Sequence, residues 1–84
     1  MPEVTPLDAL RLAAGIATRE YLRAVGADYV ADQSRGIIEQ VVLEALHTEE
    51  WAELRADMEA TGASRQDILD AIWAGIEDAG RVLN

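Results

Sequence analysis

Residues 64–83, SRQDILDAIWAGIEDAGRVL, decide the fold class. Ile68, Leu69, Ile72, Ile76, Ala79 and Leu83 recur at intervals that place them on one broad helical face, while Asp70, Glu77 and Arg81 fall on the opposite one. Just before them stands Ser64-Arg65-Gln66-Asp67, a capping-box pattern with aspartate in place of the usual Glu or Gln. In such a box the serine hydroxyl accepts from the N–H three residues on, and the acid reaches back to the serine N–H. The spacing predicts a helix over about 65–82. Ala71, Gly75 and Ala79 recur every fourth residue along it, a line of small side chains on which another helix backbone can come close.

The same logic runs outward to the rest of the chain. Thr5-Pro6-Leu7-Asp8 is a helix start: threonine caps, proline fits the first helical position, and Asp8 sits where the helix dipole favours an anion. A first helix is expected over about 6–25, with the apolar stripe Leu7, Leu10, Ala14, Ala17, Tyr21 and Val25, stopped by Gly26. Leu12 and Ile16 lie off that stripe, near Arg19 and Arg23. Either the helix is packed on two sides within the domain or this second patch meets another chain.

Between Gly26 and Gly36 a kink or short turn is expected, because Asp28 interrupts the stripe while Tyr29 extends the line from Leu22 and Val25. Asp32 or Ser34 is the candidate cap of a second helix over about 35–47, with Ile38, Val41, Val42, Ala45 and Leu46 as its face. Thr48-Glu49-Glu50 restarts the chain into a third helix over about 49–61, carried inward by Trp51, Leu54 and Met58 and ended by Gly62. The expectation is an all-α fold, a compact bundle of about four helices in one domain over 1–84.

Composition bounds the function. With 84 residues and no cysteine, the chain has a thin core, no disulfide framework and no thiolate chemistry. Nothing near the N-terminus resembles a secretion signal, and the longest aliphatic run, Val41-Val42-Leu43, is far too short to span a bilayer. These features predict a cytoplasmic protein with no membrane segment. The net charge is −9, and the seven cations are all arginine. Residues 37–84 carry most of the acids, a balance that repels phosphate backbones and favours a basic protein surface as partner.

Glu49, Glu53 and Asp57 follow at four-residue spacing, with Glu50 beside them, forming an acidic ridge. The dipole accounts for Glu49 and Glu50 but not for Asp57, since like charges so placed repel. Such a ridge is either a solvated face or a contact for a basic partner. That partner is either the Arg11, Arg19, Arg23 and Arg35 side of a second copy or, in a DNA-mimic inhibitor, the nucleic-acid groove of another protein. Trp73, at the edge of the last helix's apolar face beside Leu69 and Ile76, is either a core residue or an interface anchor, and the off-stripe Leu12 and Ile16 favour the interface reading.

Two further constellations carry specific chemistry. Glu44-x-x-His47 has the spacing that di-iron carboxylate bundles use, and Glu20 is a possible third ligand if two chains pair. The segment 54–75 can be laid on a helix-turn-helix with Arg65 and Gln66 as base readers, against the acidic residues around them. No phosphate loop or nucleophile–base pair is legible, so no catalytic residue and no cofactor is assigned. The leading expectation is a non-enzymatic interaction or regulatory module. It is expected to form a homo-oligomer through an apolar patch and to present the acidic ridge to a basic partner, with nucleic acid disfavoured.

Overall fold

The computed structural model describes residues 5–27 and 30–83, with the backbone alone at 81–83. Asp28 and Tyr29, and the side chains of Arg81 and Leu83, lie outside what is described. Among the described residues there are four α-helices and no strand: α1 (Pro6–Val25), α2 (Asp32–Ala45), α3 (Ala52–Ala60) and α4 (Arg65–Leu83), with a 3-10 turn (Glu49–Trp51) leading into α3. The chain is an all-α four-helix bundle.

Local chemistry sets most of the helix ends. Thr5 Oγ1 accepts from the Asp8 N–H at 3.1 Å, and Pro6 opens α1. Ser64 and Asp67 exchange both bonds of the capping box: Ser64 Oγ accepts from the Asp67 N–H at 3.1 Å, and Asp67 Oδ2 accepts from the Ser64 N–H at 3.0 Å. α1 and α3 both end on glycines in the left-handed region, Gly26 at φ 70° and Gly62 at φ 76°. There the following N–H groups of Ala27 and Ala63 turn back to the carbonyls of Leu22 and Met58.

Two starts differ from the sequence expectation. α2 opens at Asp32, three residues early, with Ala31 as a cap that offers no side-chain bond. Neither Asp32 nor Ser34 caps; both lie within the helix, and Asp32 acts only through the dipole in the first turn. Thr48 does not cap forward either. Its hydroxyl donates back to the Ala45 carbonyl at 2.7 Å, and the next residues tighten into the 3-10 turn.

The core consists of Leu10, Ala14, Leu22, Ile38, Val42, Leu46, Met58, Ile72, Ile76 and Ala79, together with Thr18, whose hydroxyl donates to the Ala14 carbonyl at 2.7 Å. Compared with the expected stripe, the buried face of α1 is rotated: Gly15, Thr18 and Leu22 are buried, Ala17 and Tyr21 only half so, and Val25 is exposed. Val41, assigned to the core face of α2, is also exposed. The reason is that α1 is gripped on two sides, by α4 and by α2, so its buried arc is centred between the two partners.

The α1–α4 crossing is the closest approach in the molecule. A methyl group at Gly75 would collide with the Arg11 carbonyl oxygen and lie 2.8 Å from the Ala14 Cβ, while one at Gly15 would meet the Gly75 carbonyl at 3.4 Å. Thr5, Pro6 and Leu7 share a pocket with Thr61, Gly62, Ala63 and Asp67, so the starts of α1 and α4 lie together and the two helices run in the same general direction. α2 runs against α4, since Glu39 reaches Trp73 and Arg35 reaches Glu77.

The glycine contacts separate two substitutions of the same kind. Gly75→Ala should lower stability by about 2 kcal/mol through overpacking, read as a drop in urea midpoint. Gly15→Ala, whose methyl fits, should hold or raise the midpoint, by up to about 1 kcal/mol, because alanine is the better helix former.

Candidate functional site

The surface that the fold leaves uncovered is the outward side of α1. Leu12 is 64% and Ile16 56% exposed, and no part of the described chain packs over them. At about 100° per residue, α4 holds the side of α1 bearing Arg11 and Gly15, and α2 the side bearing Ala17 and Tyr21. The free arc between them is centred on Ile16 and contains Asp8, Ala9, Leu12, Ala13, Arg19, Glu20 and Arg23.

The apolar surface continues onto α2, where Ile37 and Val41 are 47% and 51% exposed. A shallow cleft of about 280 Å³ joins the two helices, lined by Ala17, Glu20, Tyr21, Ile38 and Val41. Ile37 and Val41 were missed as surface residues. Their signal was present in the adjacent pairs Ile37-Ile38 and Val41-Val42, which make an apolar arc wider than one packed face needs.

On the α4 flank of this face, Arg11 donates to Asp78 through Nε at 2.5 Å and Nη2 at 2.9 Å. The hydrogen bond and then the charge of Asp78 hold the Arg11 guanidinium above its ordinary range. The pair is solvent-exposed, so its weight lies in orienting the crossing more than in stabilising it.

Trp73 is placed elsewhere. It lies on the α2 side of α4, where its indole Nε1 donates to Glu39 at 2.8 Å and Arg35 stands 5.7 Å over its ring. Arg35 also reaches Glu77 at 3.8 Å. The ring ties α4 to α2 while remaining 37% exposed, on a surface other than that of Leu12 and Ile16.

Glu49, Glu50, Glu53 and Asp57 are all exposed on the 3-10 turn and α3, and among the described residues none of their side chains makes a hydrogen bond or ion pair. The ridge therefore exists as a continuous anionic edge. Arg65 and Gln66 are exposed at the start of α4, as a helix-turn-helix needs, but Gln66 donates to Asp70 at 2.8 Å and Asp67 belongs to the cap. Arg55 on α3 is turned inward and donates to the Leu46 carbonyl. That leaves little cation density on the α3–α4 unit.

Glu44 accepts from Gln40 at 3.2 Å, and both it and His47 are exposed, as is Glu20 on α1. Within one chain, no group of three His, Asp or Glu side chains among the described residues is close enough to hold a metal ion. A pocket of about 450 Å³ lies between the end of α2 and the α3–α4 turn, lined by Leu43, Leu46, His47, Met58, Arg65 and Ile68. No helix is long and apolar enough to cross a membrane among the described residues.

Comparison with known proteins gives no further lead. No family model matches the chain, and no curated protein or solved structure does.

The Trp73–Glu39 contact can be checked directly. In a Trp51→Phe background, Glu39→Ala should shift the remaining tryptophan emission to longer wavelength and cost up to about 1 kcal/mol, the ordinary net weight of one hydrogen bond.

Proposed function

We propose that this chain is a non-enzymatic protein-interaction module that self-associates through the outward face of α1. The observation that carries the reading is the exposure of Leu12 and Ile16 at the centre of a helix face flanked by Ala9 and Ala13, with Ile37 and Val41 extending it on α2. Single exposed leucines are ordinary on small proteins, but a continuous apolar arc along one helix marks an interaction surface. Small alanines beside large side chains also give it relief into which a partner's side chains can fit.

The acidic edge of α3 supports a second, separable contact. Glu53 and Asp57 stand one turn apart and repel, and Glu49 and Glu50 extend the same field, and among the described residues none of the four pairs with a cation. A basic protein surface would relieve that repulsion and be steered by it. This edge lies on α3 and the Leu12–Ile16 face on α1, so a dimer built on α1 leaves the acids available.

Sedimentation or light scattering across micromolar concentrations should show a dimer. Leu12→Glu and Ile16→Glu should each shift it to monomer while leaving the helical circular dichroism unchanged. A mass that stays monomeric at every concentration would remove self-association from the reading.

A further inference from the structure

We infer that the second copy docks on α1 antiparallel, about a two-fold axis level with Ala13 and Ala14, so that Asp8 of each copy faces Arg19 of the other. The inference rests on the proposed self-association and specifies its geometry.

The argument starts from charges on the free arc. Asp8 and Arg19 lie on the same flank of α1, the side next to α4, and bracket Leu12 and Ile16. Neither makes an ion pair or a side-chain hydrogen bond among the described residues. Within α1, Arg19 has Gly15 and Arg23 four residues away and Ile16 and Leu22 three away, so the one charge a full turn from it repels it, and Glu20, next in sequence, points about 100° away around the helix. Asp8 has Arg11 three residues on and its charge acts on that guanidinium, but less than Asp78, which takes both of its hydrogen bonds.

Orientation then decides the pairing. A parallel pair carries same-flank residues to opposite sides of the seam, so Asp8 meets no cation of the mate, Arg19 falls beside the mate's Glu20, and Arg23, nearest the middle of the face, meets Arg23. In an antiparallel pair, residues on the same flank of each helix face one another. Asp8 and Arg19 are equally far, roughly 8 Å along the axis, from a centre between Ala13 and Ala14. Placing the two-fold there makes two Asp8–Arg19 contacts by symmetry. At the same register Leu12 of one copy falls level with Gly15 of the other and beside its Ile16, so the two exposed large side chains of each copy cover those of its mate.

Charge reversal tests the register and needs no knowledge of any other partner. Asp8→Arg and Arg19→Asp should each raise the dimer dissociation constant by about tenfold or more, and the double variant should return it to within about threefold of wild type. Circular dichroism checks that each variant folds. Because the chain has no cysteine, a spin label on Ala24→Cys alone reports orientation. Antiparallel docking places the two labels roughly 30 Å apart along the axis, and parallel docking places them side by side. A dimer with adjacent labels, or with no rescue in the double variant, overturns the antiparallel register while leaving self-association standing. A wild-type chain that stays monomeric at every concentration overturns both.

Discussion

The tightest constraint in this protein is the passage of α1 over Gly75. There the backbone of one helix, at Arg11 and Ala14, occupies the space that any larger side chain on the other would need. Such proximity lets Ile72 and Ile76 join Leu10 and Ala14 in one buried cluster. α2 then leans on α1 and α4 through Ile38 and Val42, and α3 closes the lower end with Met58. In a chain with so small a core, a shift at the crossing is felt by every buried residue.

The parts of the fold legible in the sequence are those whose chemistry is complete within a few residues. Thr5 with Asp8, Ser64 with Asp67, and Gly26 and Gly62 each satisfy backbone groups next door, so their spacing alone announces them. The line Ala71, Gly75 and Ala79 announced a close neighbour without naming it. The start of α2 was hidden because Ala31 contributes no capping atom and tertiary packing holds the helix there. Thr48 was misread because a threonine hydroxyl can serve the N–H ahead or the carbonyl behind, and here it took the carbonyl. The rotation of the α1 stripe toward Thr18 and Leu22 depends on where α4 and α2 stand, which no local window contains.

The candidate surface was legible in the same uneven way. Leu12 and Ile16 stood out because they contradict the stripe beside them, and they remain exposed in the folded chain. The ridge from Glu49 to Asp57 was visible as spacing. Trp73 was visible as a residue type only, since its true neighbours, Glu39 and Arg35, lie more than thirty positions away. A tryptophan bonded at its ring nitrogen and faced by a guanidinium contributes cross-bracing between helices, whereas Leu12, Ile16, Ile37 and Val41 are exposed aliphatic side chains on α1 and α2.

The crossing at Gly75 has a consequence for the nascent chain. The helix that covers Leu10 and Ala14 most closely is the last of the four, and the Arg11–Asp78 bridge spans 67 positions. A polypeptide emerging from the ribosome therefore carries the α4-facing side of α1, together with its Leu12–Ile16 side, wet until α4 has been made. Closing so long a loop costs entropy before any of its contacts form. Until then α1 is a sticky, two-faced amphipathic segment, open to chaperones or to a neighbouring nascent chain. The final helix converts it from a general adhesive into a surface with one exposed side.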